Sequence, residues 1–369
     1  MEEKKLTEEE RKQRREDRRK RKKYRLLILL LLMLGTGIML ATSTYAWFTS
    51  NKAVSVNTIG AQVEAKGGIQ ISTDGSKWKS IISTTDITNA YKTYATASNQ
   101  MPNIIEPVST VGVPDAEGKL PMYYGTVTTN TDGDYILTAV KADDKDDHTR
   151  KNEGGDLIEG QEEGKFVAFD LFFKVDKDTN IYLTPQSGIT FADNDSGIKN
   201  ASRIAFVELG KVDDGSALDV IQGLKTATAT HVWEPNYDTH TATGLANARD
   251  VYGGVTGDAY VAANAGNIVP YDGIKAPITS DKNILLGSAN KVTAADYFDN
   301  VTIGYKTTTT NAKYLQIFGL SKGITKVRIY MWIEGQDIDC ENNASNGKIK
   351  LDLQITTEDP GAENVTNGA

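Results

Sequence analysis

The chain has 369 residues, 39% of them hydrophobic, a formal net charge of −8 and a single cysteine, Cys340. The acidic balance argues against nucleic acid as a partner, because binding phosphates needs a basic surface. One cysteine excludes a disulfide framework, so a chain of this length must hold together through a large buried core.

Charge is unevenly placed. Residues 1–25 carry 13 Lys/Arg against 7 Asp/Glu, a net of +6 that leaves −14 for the remainder. Leu26 to Ser50 then holds no charge and is long enough to cross a bilayer. A basic flank stays on the cytoplasmic side, so the chain beyond the run is expected outside the cell. The strongly apolar part, Leu26–Leu34, is broken by Gly35 and Gly37. Ala41-Thr-Ser-Thr-Tyr-Ala46 then supplies small residues at the −3 and −1 positions of a signal peptide, Thr44 and Ala46 for a cut before Trp47, with Ala41 and Ser43 as a second pair. Residues 1–25 read as a basic cytoplasmic n-region and 26–46 as a signal peptide handled by a signal peptidase. Uncut, residues 26–48 would remain in the membrane as a type II anchor, with Trp47 and Phe48 as its interfacial aromatics.

After Phe48 the dominant period is two. Val54 and Val56, then Ile59, Ala61 and Val63, alternate with polar residues, and Ile69 and Ile71 lead to a turn at Asp74-Gly75. Ile87–Ala97 is a helical window. Tyr135–Val140 reads as a short strand and Asp143–Gly164 as an acidic loop. Phe169, Leu171, Phe173 and Val175 line one face of a strand, followed by shorter strands at Ile181–Thr184 and Arg203–Leu209. From Lys211 to Asp299 clean strands are scarce, and 211–299 is expected to be a loop-rich insertion with helical windows at Ala217–Ala227 and Ala294–Phe298. Val327, Ile329, Met331 and Ile333 form a strand with Lys326, Arg328 and Tyr330 opposite. Ile349, Leu351, Leu353 and Ile355 form another, with Lys348, Lys350, Asp352 and Gln354 facing water. One apolar and one polar face mark antiparallel sandwich strands. The predicted fold is all-β, an antiparallel β-sandwich of jelly-roll type over 47–356, with few short helices and a disordered tail at 357–369.

Catalytic chemistry is poorly represented. His-Glu-x-x-His, a phosphate loop, a nucleotide fingerprint and a Gly-x-Ser-x-Gly elbow are all absent, and His148, His231 and His240 are the only histidines. The chain therefore reads as non-enzymatic and without an organic cofactor. His231, Glu234 and His240 lack the regular spacing of a metal motif, with Pro235-Asn236 between them. Calcium, which takes clustered oxygens, suits three patches: Asp143–Asp147, Asp193–Gly197, and Glu334, Asp337, Asp339 and Glu341. The plain alternative for each is a solvated turn. The Glu334–Glu341 patch is set apart by lying at the end of a strong strand. Cys340 reads as a small buried hydrophobe.

Cleavage before Trp47 would create a new terminus bearing Trp47, Phe48, Val54, Val56, Ile59 and Val63. An apolar strand at a chain end can add to a neighbour's sheet, and such a head-to-tail contact builds filaments of one protein. The alternative pairing is within its own sandwich. Thr44-Tyr-Ala46-Trp-Phe48, then Lys52 and Val56-Asn-Thr-Ile-Gly60-Ala-Gln-Val63-Glu64, resembles the N-terminal signature of the TasA/camelysin proteins of Gram-positive surfaces and biofilm matrices. The closing strand Lys348–Thr356 is also similar to that family's last strand. The resemblance implies a dedicated signal peptidase, a jelly-roll-like sandwich and fibres built by donor-strand exchange. The long basic n-region and the greater length depart from the family pattern. The protease activity described for camelysin has no matching metal-protease motif here.

Overall fold

The structure, a computed structural model, describes residues 56–97, 99–129, 135–142, 164–191, 197–236, 239–242, 282–285, 304–307, 313–335, 337, 339–340 and 348–367. The chain divides into two units, 1–46 and 47–369, and every described residue belongs to the second. The apolar run with Thr44 and Ala46, the residues Trp47, Phe48 and Val54, the Asp143–Asp147 patch, the window Ala294–Phe298 and Glu341 lie outside the described residues. Among the described residues no helix is long and apolar enough to cross a membrane.

The fold is all-β. Three sheets of eight, seven and four strands account for most described residues. The first contains β1 (Val56–Lys66), β3 (Ile81–Ser83), β5 (Ile104–Ile105), β10 (Thr179–Leu183), β11 (Gly188–Phe191), β16 (Tyr314–Leu320), β18 (Lys348–Thr356) and β19 (Val365–Asn367). The second contains β2 (Gln70–Ser72), β4 (Asn99–Gln100), β9 (Val167–Val175), β12 (Ser202–Val212), β13 (Ala229–Glu234), β15 (Tyr305–Lys306) and β17 (Gly323–Ile333). The third contains β6 (Ser109–Thr110), β7 (Met122–Thr129), β8 (Tyr135–Lys141) and β14 (Lys282–Leu285).

The first and second sheets pack face to face. Phe318 of β16 meets Phe173 of β9 and Phe206 of β12 at ring distances of 6.1 and 5.9 Å. The predicted inward residues of β9, β17 and β18 are all buried, and Lys348, Lys350, Asp352 and Gln354 of β18 alternate outward as expected. Phe318 owes its inward position to a register shift opposite Ile181–Tyr182, which turns both Ile317 and Phe318 to the core.

The far face of the second sheet is buried as well. Phe166, Ala168, Ala205, Val207, Leu209, Tyr330 and Trp332 pack with Leu120 and with Met122 at the start of β7. Further along, Phe172 and Ile324 pack under Ala90, Tyr94 and Ala97, which follow helix α1 (Thr84–Asn89), and under Ile221 of helix α2 (Leu218–Gln222). Ser83 and Asp86 cap α1 reciprocally, fixing where the strand ends and the helix begins. Every residue of β17 is therefore buried, Lys326 and Arg328 included, so the expected polar face is a second interior face.

Other corrections follow from backbone pairing that no side-chain pattern announces. The sheets are not purely antiparallel: β1 runs parallel to β18, β13 to β15 and β16 to β19. The stretch 211–299 is not wholly an insertion, because β13 pairs with β12 in the second sheet and β14 with β8 in the third. The tail is ordered through Asn367, with a 3-10 turn at Ala362–Asn364 and β19 along the edge of β16.

Burying Lys326 and Arg328 requires an anion beside them. Asp170 of β9 takes Nε and Nη2 of Arg328 at 2.7 and 3.3 Å and Nζ of Lys326 at 3.1 Å. Lys326 also donates to Tyr94 Oη at 2.5 Å, and that hydroxyl donates to Gln222 O at 2.9 Å, tying the helical layer to the sheet. Burial alone would raise the pKa of Asp170. Arg328 and Lys326 outweigh it and hold the carboxyl well below its usual range. Asp74 is also lowered, to about 2, because the hydrogen bond from Thr93 and those from Lys77 and Ser76 outweigh its desolvation.

Asp170→Asn should cost about 3–5 kcal/mol of unfolding free energy in urea, since it leaves two buried cations short of their anion. Lys66→Ala, which removes an exposed ion pair with Glu64, should cost under about 1 kcal/mol. A depressed folded pKa contributes stability that is complete above the unfolded value of about 4 and is lost as pH falls through the folded one. Stability of the unsubstituted protein should therefore drop from about pH 4 toward pH 2, and Asp170→Asn should make that drop shallower.

Candidate functional site

Two polar constellations stand out. The first lies where β12 begins and β13 and β17 end. Arg203 sits on β12 in a run of apolar neighbours with its side chain fully covered. Its Nη2 reaches Asp337 Oδ2 at 2.7 Å and Glu234 Oε1 at 3.0 Å, and its Nη1 donates to the carbonyls of Asn200 and Ser202. Asp337 and Asp339 lie in the tight turn after β17, closed by Asp337 N to Glu334 O and Cys340 N to Asp337 O. The amide of Asp339 donates to Asp337 Oδ1 at 2.8 Å, which fixes the two carboxylates together.

Asp339 gathers the other strands of chain. Thr241 donates to Oδ1 from both N and Oγ1 at 2.8 Å, His240 Nδ1 lies 3.1 Å from Oδ2, and Asn200 Nδ2 donates to Oδ2 at 3.2 Å. Asn200 is placed by a turn in which its amide bonds to Gly197 O. Gly197 has φ +88°, and a Cβ there would run into the methyl of Thr241, so only glycine lets these segments meet. Burial lowers the pKa of His240, but the bond to Asp339 and the charges of Asp337, Asp339 and Glu234 outweigh it, so the net direction is up. Asp337 is raised, first by burial, with the Asp339 charge adding and Arg203 opposing.

The calcium patch expected from sequence is thus only half assembled. Asp337 and Asp339 converge, but Glu334 points elsewhere. Its Oε1 accepts from Ser109 Oγ at 2.6 Å and its Oε2 from Trp332 Nε1 at 3.1 Å. It ties β6 to β17 rather than facing the two aspartates. Asn200 and Arg203 were missed by sequence reasoning. Arg203 had a signal, a lone cation inside the strand Arg203–Leu209. His240 was considered, but with His231, which the structure places elsewhere.

His231 belongs to the second constellation, on β13 near the edge of the sandwich. It stacks on Phe318 at 5.4 Å, meets Glu208 Oε1 through Nε2 at 2.8 Å and Tyr305 Oη through Nδ1 at 3.1 Å. These side chains line a groove of about 770 Å³ with Val113, Thr230 and Gln316. The histidine's partners are a carboxylate and a phenol, which orient an aromatic wall. Cys340 is buried, as its sequence context suggests, and forms no disulfide.

The donor-strand residues divide. Val56, Ile59 and Val63 lie in β1, which runs parallel to β18 from Asn57–Lys348 to Lys66–Thr356 and pairs with β3 and β5 on its other edge. Within one chain this strand is paired in its own sheet. A comparison with protein-family models, curated proteins and solved structures finds no match.

Arg203→Ala should destabilise the protein by about 3–5 kcal/mol in urea unfolding, because it leaves Glu234 and Asp337 buried without this cation. Lowering the pH toward the raised pKa of Asp337 should recover part of that loss, since protonation removes one of the two carboxylate charges that had faced Arg203.

Proposed function

We propose that this chain is an exported structural subunit of extracellular fibres of the biofilm-matrix or pilus-like kind, joined by strand exchange between copies. The observation that carries the reading is the place of β1. It is the most N-terminal described strand, yet it lies inside the first sheet, flanked by β18 on one side and β3 on the other. A strand at a chain end can be supplied to that slot by a neighbouring copy with the same pairs, which is the least costly route from folded monomer to linked chain.

The connection after β1 favours this. Gly67 and Gly68, at φ +75° and +85°, carry the chain from β1 in the first sheet to β2 in the second, and are where it can redirect. The charge asymmetry about Leu26–Ser50 supports export, and the small residues before Trp47 support release with β1 close behind the new terminus. The similarity of segment 44–64 to the TasA/camelysin signature points the same way. A jelly-roll arrangement remains part of this proposal. A second reading, a type II membrane-anchored surface protein that binds a carbohydrate or protein partner, is favoured by the groove at His231, whose stacked ring and polar rim suit such a ligand.

Gln62 and Asp352 are register partners of β1 and β18. In chains starting at Trp47 with Cys340→Ala, mixing separate Gln62→Cys and Asp352→Cys variants under oxidising assembly conditions should give disulfide-linked pairs. Electron microscopy should show fibres in the same sample. Monomers under every assembly condition would defeat the fibre reading, and fibres without the cross-link would remove β1 as the exchanged strand. Mass spectrometry of the extracellular product should find an N-terminus at or near Trp47; an uncut chain favours the anchored reading.

A further inference from the structure

The centre around Asp339 is rich in acid. Glu234 and Asp337 meet the guanidinium of Arg203, Asp339 meets His240, and the side chains of all three acids are nearly or fully covered. Carboxylates held away from water are expensive, and a divalent cation offsets two charges at once. The donor atoms of His240, Asp337 and Asp339 lie within 4.8 Å of one another, close enough to share one ion.

A second observation is independent of charge. Asn200 is 3% exposed, its Nδ2 rests 3.2 Å from Asp339 Oδ2, and its Oδ1 has no hydrogen-bond partner among the described residues. A buried amide oxygen without a donor costs free energy that a cation recovers by accepting its lone pair. Each Asp337 oxygen accepts one of these hydrogen bonds and keeps a further lone pair for a metal, and Asp339 Oδ2 regains one when His240 Nδ1 turns from it to the ion.

We propose that Asn200, His240, Asp337 and Asp339 bind one divalent transition-metal ion that clasps three segments of chain. The imidazole decides the class: Ca²⁺ and Mg²⁺ take oxygen ligands, whereas an imidazole with carboxylate and amide oxygens suits Zn²⁺ or Mn²⁺. His240 ligates in its neutral form, so the ion displaces its proton. The clasped pieces are the turn at 197–202, the segment 239–242 and the turn at 337–340. Such a staple does for this cystine-free chain what cross-links do for other exported proteins. The inference does not depend on the fibre reading.

The test uses the full chain in detergent, freed of metal with EDTA and dialysed against ZnCl₂, MnCl₂ or CaCl₂. One equivalent of Zn²⁺ or Mn²⁺ should be retained, with a rise in thermal midpoint that EDTA reverses. His240→Gln should weaken uptake by about tenfold or more and alter the visible absorption of the Co²⁺-loaded protein. Asn200→Asp should hold the ion at least as tightly, and Asn200→Ala less tightly. Absence of uptake by the unsubstituted chain overturns the proposal. So does uptake indifferent to both His240→Gln and Asn200→Ala, or a preference for CaCl₂. Should His240→Gln fail to fold by circular dichroism, Asn200→Ala decides alone, since it leaves Arg203 and its ion pairs in place.

Discussion

The second sheet is covered on both faces, and most of the architecture follows from that. An antiparallel sheet with one wet face can point its charges at solvent. Here β17 and the central stretches of β9 and β12 cannot, because the first sheet closes one side and the helices with the third sheet close the other. Polar side chains in the doubly covered stretch must find their partners inside, while Lys211 at the end of β12 reaches solvent. Asp170 is matched to Arg328 and Lys326, Glu334 to Ser109 and Trp332, and Arg203 to Glu234 and Asp337. These ties run along one strand, β17, or leave from its end, and each reaches a different neighbouring element. They therefore set the positions of the layers as well as satisfying charge.

The same constraint explains what the sequence made legible. Alternation located β9, β17 and β18 residue by residue, since side-chain direction in a strand is fixed by parity. Parity cannot say what covers the second face, so Lys326 and Arg328 carry the same pattern whether they meet water or Asp170. β16 escaped notice because the shift at Ile317–Phe318 breaks the period where its principal core ring sits. β13 escaped because its buried Val232 and Trp233 are adjacent and break the alternation, and β19 because backbone pairing to β16, with little apolar content, holds it in place.

The site near Asp339 was half legible for a related reason. Asp337 and Asp339 are neighbours in sequence on the end of a strong strand, which is a local signal. His240 lies 99 residues from Asp339, and Asn200 lies 139, so nothing local joins them. Their meeting depends on the β12–β17 pairing, which sets the turn at 197–202 beside the turn at 337–340 through Glu334 N and Ala201 O. Glu334 was drawn into the patch by sequence proximity alone. A strand residue and a turn residue three positions later need not face the same way.

On the fibre reading, the two sandwich sheets also divide the labour that strand exchange would require. The buried ion pairs and the core on the far face of the second sheet make no use of β1. On the fibre reading, a subunit whose slot in the first sheet awaits a strand would keep that rigid half intact. Its defect would lie along the two edges of that slot, β3 and β5 on one side and β18 on the other. That strand is paired with β10 and β11 along one edge and would lack β1 along the other, beside a core face of Ile349, Leu351, Leu353 and Ile355. An open edge next to an apolar face strongly favours strand addition. The register from Asn57–Lys348 to Lys66–Thr356 then selects which strand fits, because a slip of one residue would turn Val63 and Ala65 out of the core. Stability in one sheet and the proposed assembly through the other are compatible in a single protein because their side chains are drawn from different strands.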